Sequence, residues 1–275
     1  MHSCTIYLDD VDIQTLGVFI DDSFSMPMFN IDHINSISIP GRPGELYYND
    51  KPGPIVFKIP LYSISDDELE RQNVMRRFKK LLIDNDGKSK VVKLKNSQEP
   101  DIYYNVRLSS SNEMDKDMHQ VGEFELELTC YDGFGLSVLD NEAWFWGDND
   151  ITLNNEVRTM GETIEVSQIT LTSNGSITFT NLGYNVRPII KLKGSGTNIA
   201  VYLGDATFSI IDLTNDELVI DMQEYNVYLN GVMNLDAITS MRWLDIIIKE
   251  GTNILTVNGT NLNLTVSIHY REIYY

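Results

Sequence analysis

Apolar and polar residues alternate with period two over most of this chain, and that rhythm restricts it to a mainly β fold. In "EFELELTC", residues 123–130, Phe124, Leu126 and Leu128 fall on one side and Glu123, Glu125 and Glu127 on the other. "DIYYNVRL" repeats the pattern with Ile102, Tyr104, Val106 and Leu108. Successive side chains of a strand point to opposite faces, so both segments read as half-buried antiparallel strands. "NSISI" and "PIVFKIPLY" read as further strands, separated by a loop that contains Gly41-Arg42-Pro43-Gly44.

One segment breaks the rhythm. Ser65-Asp66-Asp67-Glu68 has the form of a capping box, with acidic residues at the positive end of a helix and "RRFKK", residues 76–80, near its negative end. Leu69, Val74, Phe78, Leu81 and Leu82 recur near helical spacing, which predicts a helix over about residues 66–84 with one buried stripe. Asp86-Gly87 is the expected stop, glycine taking the left-handed conformation.

The second half reads as all-β. "TIEVSQITL", "SITFTNL", "RPIIKLKG", "NIAVYLG", "TFSII", "ELVIDM", "NVYLNG", "WLDIIIKEG", "NILTVNG" and "LNLTVSIHYREIYY" are candidate strands at the short intervals of a β-sandwich. Asn-Gly pairs at 174–175, 230–231 and 258–259 favour tight hairpins. The expected division is a first domain over 1–135, with the single helix, and a second over 136–275.

Composition excludes several classes. The 275 residues are enough for one or two domains with their own cores. A net charge of −19, spread over both halves, repels nucleic-acid phosphates. "RRFKK" reads as a solvated helix face. Cys4 and Cys130 are too few for a disulfide scaffold, and each reads as a small buried hydrophobe. The start "MHSCTIYLDD" lacks the marks of a signal peptide, and no apolar run reaches the roughly 18 residues of a membrane span. Synthesis in the cytoplasm without secretion is the expectation.

Motifs for chemistry are sparse. His2, His33, His119 and His269 stand isolated, without metal-ligand spacing, and neither a nucleophile elbow nor a Walker loop occurs. "DNDG", residues 84–87, begins like a calcium loop but lacks its alternating oxygens and distal glutamate. Forty acidic residues offer too many carboxylate pairs for sequence spacing to single out a glycosidase pair. Trp144 and Trp146, among carboxylates, read either as packing or interface residues or, with Trp243, as a sugar platform. No residue stands out as catalytic, and no cofactor or metal is expected.

The glycine loop decides between an enzyme and a building part. A phosphate cradle needs consecutive backbone amides at a helix start, whereas Pro43 has no N–H and "ELYYND" does not continue as a helix. A rigid turn presenting Arg42, Tyr47 and Tyr48 to another protein fits better, since Arg and Tyr are enriched in such contacts.

The order of these pieces resembles the distal tail protein family of long-tailed, non-contractile bacteriophages. The resemblance rests on Pro40-Gly41-Arg42 with Gly44, the single helix, and Cys130-Tyr131-Asp132-Gly133-Phe134, where the family usually has proline in place of Tyr131 and Gly133. In the second half it rests on "NLGYNVRPIIKLKGSG", "VIDMQEYNVYLNG" and "IIIKEGTNILTVNG". It implies a structural protein without catalytic residues, forming a hexameric ring at the tail tip, single or stacked. A β-rich first domain with one helix would build the ring, and a galectin-like β-sandwich would project from it. Implied partners are further copies of the chain, the tail tube protein, the tail-tip hub protein and, in some relatives, the receptor-binding apparatus, with DNA passing an acidic channel unbound. The virion tail tip is the implied location. The alternative reading is a carbohydrate-binding protein that recognises cell-wall polysaccharide through the sandwich.

Overall fold

The computed structural model describes residues 4–27, 31–64, 67–110, 121–138, 168–240 and 246–275. The chain divides into two compact units, Met1–Leu136 with Tyr275, and Ser137–Tyr274.

The first unit is built from β1 (Ile6–Leu8), β2 (Val11–Asp12), β3 (Phe19–Ile20), β4 (Ile31–Ser38), β5 (Glu45–Pro52), β6 (Ile55–Ile64), α1 (Glu68–Leu82), β7 (Val92–Asn96), β8 (Glu99–Leu108), β9 (Val121–Cys130) and the start of β10 (Gly135–Ser137). Its main sheet runs β2-β1-β7-β8-β9-β6-β3. β6 and β9 pair along their whole length, Ile55 opposite Cys130 through Ile64 opposite Val121. Phe57, Ile59 and Leu61 of β6 thereby meet Leu128, Leu126 and Phe124 of β9. All but Phe124 are buried, each contributing about 1.5–3 kcal/mol. The glutamates take the other face of β9, as the alternation predicts. β8 departs from it in one respect, because Tyr103 is also buried, with the Lys93 ammonium 5.1 Å from its ring centre.

Helix α1 closes the core from one side of this sheet, its Phe78 ring 5.9 Å from that of Phe124. The N-cap is Asp67, whose carboxylate accepts the Leu69 amide at 3.1 Å. Glu68 is therefore the first helical residue rather than the third of a capping box, and Ser65 lies outside the described residues. Val74, Phe78 and Leu82 form the buried stripe with Arg71, while Leu69 is 61% exposed. Five residues separate Leu69 from Val74, about 140° around a helix, so Leu69 falls off the stripe that Arg71 joins at three. The helix stops at Ile83, an extended residue. Gly87 does take positive φ (78°), but in the following turn, where the Asp84 carboxylate accepts the amides of Asp86 and Lys88.

The second unit comprises β11 (Gln168–Leu171), β12 (Gly175–Asn181), β13 (Ile189–Leu203), β14 (Ala206–Ile210), β15 (Leu213–Asp221), β16 (Asn226–Leu229), β17 (Val232–Met233), β18 (Ile238–Ser240), β19 (Gly251–His269) and β20 (Ile273–Tyr274). "RPIIKLKG" and "NIAVYLG" are one strand, β13, and "NILTVNG" with the start of "LNLTVSIHYREIYY" is one strand, β19. The two pair from Ile189–His269 to Leu203–Leu255, interrupted by register shifts between Ser195 and Ala200. One end of β13 continues the sheet through β15, β16 and β17, and the other end pairs with β14 and then β18. Each long strand thus serves both layers of a sandwich, bending where its ladder shifts. The inner face holds Ile190, Leu192, Val201, Leu255, Leu264 and Val266.

Only one of the three Asn-Gly pairs makes the expected hairpin. Asn230 and Gly231, at φ 51° and 78°, join β16 to β17 in a two-residue turn. Asn258-Gly259 lies inside β19, and Asn174 precedes β12, which pairs with β19 and not with β11. These two sites meet instead, Gly259 donating its amide to Asn174 Oδ1 at 3.0 Å. Residues 163–167 of the first candidate strand, and 243–245 of "WLDIIIKEG", lie outside the described residues.

Candidate protein interface

The glycine loop is the tip of a two-stranded ribbon, β4–β5, which among the described residues pairs with no third strand. At the tip the Arg42 amide donates to the Ile39 carbonyl at 3.1 Å. Pro40 supplies the fixed φ of the first central position, and Gly41, at φ 84°, supplies the positive φ that a type II turn requires at the second. Gly44 takes a second positive φ of 80° as the chain enters β5. The Arg42 amide is spent in the turn, Pro43 has no N–H, and a strand follows, so these residues form a bend and not an anion cradle.

Arg42 sits exposed at this bend. Tyr47 and Tyr48 follow on β5 at 59% and 63% exposure. Asn35 lies opposite Asn49 but Ser36 opposite Tyr47, so Tyr48 is the extra residue of a bulge. Bulges re-aim side chains and bend the strand. A Ser36–Glu45 side-chain hydrogen bond ties the two strands beside the turn. The structure thus brings the three expected residues onto one ribbon and adds two more, Ile37 and Ile39, at 54% and 39% exposure. Alternation alone assigns those isoleucines to a core. Among the described residues no third strand joins the ribbon that carries them, which a strand pattern does not encode.

The other candidates are structural where described. Cys130 is buried and donates to the Phe134 carbonyl, and burial pushes its thiol pKa up. Cys4 donates to Asn96 Oδ1 at 3.0 Å, and burial raises its pKa too. His269 Nε2 lies 3.1 Å from Ser267 Oγ. Among the described residues no three His, Cys, Asp or Glu side chains gather as a metal centre would require. Trp144, Trp146, Trp243, His2 and His119 lie outside the described residues. Gly133 adopts φ 76°, which proline, fixed near −65°, cannot take. The turn after β9, as built here, could not hold proline at this position.

Comparison with known proteins bears on both units. A family model described as a phage tail protein RIFT-related domain matches residues 11–130, and the C-terminal domain of siphovirus-type tail components matches residues 183–274. No curated protein matches in sequence. The crystal structure of the phage SPP1 Dit protein, described as a paradigm of the hub adsorption apparatus in phages infecting Gram-positive hosts, matches with a TM-score of 0.68 at 12% identity. That match covers 99% of both chains and is a likeness of fold. A chain of the phage P2 baseplate in its activated, calcium-bound conformation gives a TM-score of 0.45 at 10% identity over 98% of each chain. With the two domain models together covering most of its length, in the order of the two units, the chain belongs to the distal tail protein family of siphovirus-type phages and is a phage tail component.

Proposed function

We propose that this chain closes into a hexameric ring that joins the tail tube to the tail-tip hub, with a central channel for the genome and no catalytic role. The observation that carries this reading is the β4–β5 ribbon, which among the described residues pairs with no third strand. A two-stranded ribbon is marginal in water unless a third strand or another layer supports it, yet this one presents Ile37, Ile39, Arg42, Tyr47 and Tyr48 to solvent. Contact with a neighbouring subunit supplies the missing cover. In a head-to-tail ring every subunit gives and receives the same contact, so none is left over.

The first unit, Met1–Leu136 with Tyr275, is the ring-forming domain, and the second, Ser137–Tyr274, is the galectin-like sandwich. Six copies multiply a charge of −19 sixfold. Acidic residues of the first unit line the bore and keep DNA phosphates from adhering. The chain is made in the host cytoplasm and ends in the tail tip. Negative-stain imaging of the purified protein tests the class, with a six-fold annulus expected. Separate compact particles at every concentration would overturn it.

A further inference from the structure

We infer that the exposed basic face of helix α1 docks on the acidic sheet face of a second copy of this chain, forming a charged seam of the assembly. This rests on the ring reading above and names a contact within it. Arg76, Arg77, Lys79 and Lys80 are all exposed on α1, while Val74, Phe78 and Leu82 anchor its other side. Among the described residues none of the four makes an ion pair. Four unpaired cations within five residues are an unusual concentration in a chain with 21 basic and 40 acidic residues.

The complementary surface lies on the opposite side of the same layer. Phe124 of β9 points toward α1, as its contact with Phe78 shows, so Glu123 and Glu125 point away from it. Across the ladder, Glu127 faces Lys58, but Glu125 faces Pro60 and Glu123 faces Tyr62. On the far side of Pro60 comes Asp21, whose amide donates to the Pro60 carbonyl at 3.0 Å. Two carboxylates thus flank one proline, beside a groove of about 400 Å³ lined by Asp21, Ser23, Tyr62, Glu123 and Glu125.

Cations on one face and anions on the other are the arrangement of a head-to-tail contact, since each copy offers both halves to different neighbours. Opposite charges steer such encounters and fix their register, and they weaken as salt shortens the screening length.

The test is charge reversal with rescue, read as assembly mass by light scattering at about 50 mM and about 500 mM salt. R76E/R77E/K80E and E123K/E125K are each expected to weaken assembly at least tenfold, and an equimolar mixture or the combined variant to recover it. Far-UV circular dichroism checks that each variant folds. If a reversal does not, R76Q/R77Q/K80Q and E123Q/E125Q replace it, with assembly expected to fail at lower protein dilution than for wild type. A wild-type hexamer whose mass and salt dependence survive all these changes overturns the seam and leaves the ring intact. A wild-type chain that is monomeric at both salts overturns the ring reading itself.

Discussion

The rings of Phe78 and Phe124 meet edge to face, 5.9 Å between centres and 68° between planes. This pair joins helix α1 to the β6–β9 ladder, and it fixes which face of β9 carries the glutamates. Phe78 is 3% exposed, so Phe78→Ala leaves a cavity as well as losing burial. We expect a loss of about 3–5 kcal/mol from the first unit in urea denaturation followed by circular dichroism. A loss under about 1 kcal/mol would mean that the helix is not packed there.

The second unit depends on a close approach between its two long strands. Gly194, at φ 135°, lies where an added Cβ would run into the Asn263 backbone carbonyl. Gly204 also has positive φ, 57°, but open space around it. Gly194→Ala should cost about 3–5 kcal/mol through strain and overpacking together, against about 1–2 kcal/mol for Gly204→Ala. Thermal melting of the two variants side by side checks the contrast.

Burial, then the charges of Glu99 and Cys130, push the Tyr104 hydroxyl up to about 12 from its ordinary 10.0. Its ring packs edge to face on Phe57 at 5.0 Å. A folded pKa above the unfolded one means that the folded state holds the proton longer. The contribution to stability is complete below pH of about 10 and is lost as pH rises toward about 12. Tyr104→Phe removes this titration, so its stability should fall less steeply over that window than wild type. Urea midpoints at several alkaline pH values give the answer, and parallel slopes would contradict it.

How much of this was legible in the sequence depends on the scale of the interaction. Period-two alternation identified β6 and β9 because each strand has one wet face and one buried face. The helix was legible from its charge order and from Val74, Phe78 and Leu82, but its start was misphased by two residues because Asp67 competes with Ser65 for the cap. Long-range pairing was not legible. Asn258-Gly259 reads as a hairpin in local sequence, yet the ladder between β13 and β19 carries the chain through it as one strand. Ile37 and Ile39 alternate as a buried face would yet are exposed, since whether a strand is covered is decided by elements distant in sequence. That Arg42, Tyr47 and Tyr48 share one exposed ribbon was legible from residue type and the turn chemistry of Pro40-Gly41, which are local properties.

Those three side chains are exposed in the single chain, so replacing them should leave its stability nearly unchanged. Arg42→Ala, Tyr47→Ala and Tyr48→Ala are each expected to shift unfolding by less than about 0.5 kcal/mol. At least one should weaken self-association by more than about 1 kcal/mol, as anchors of an interface do. Sedimentation velocity over a dilution series measures the second effect independently of the first.

If the molecule acts as a closed ring, its mass in solution reveals it. Light scattering on the purified full chain, across micromolar concentrations, should report six times the mass of one chain, or twelve times if rings stack. A mass of one chain throughout, with no larger species at the highest concentration, would contradict the account.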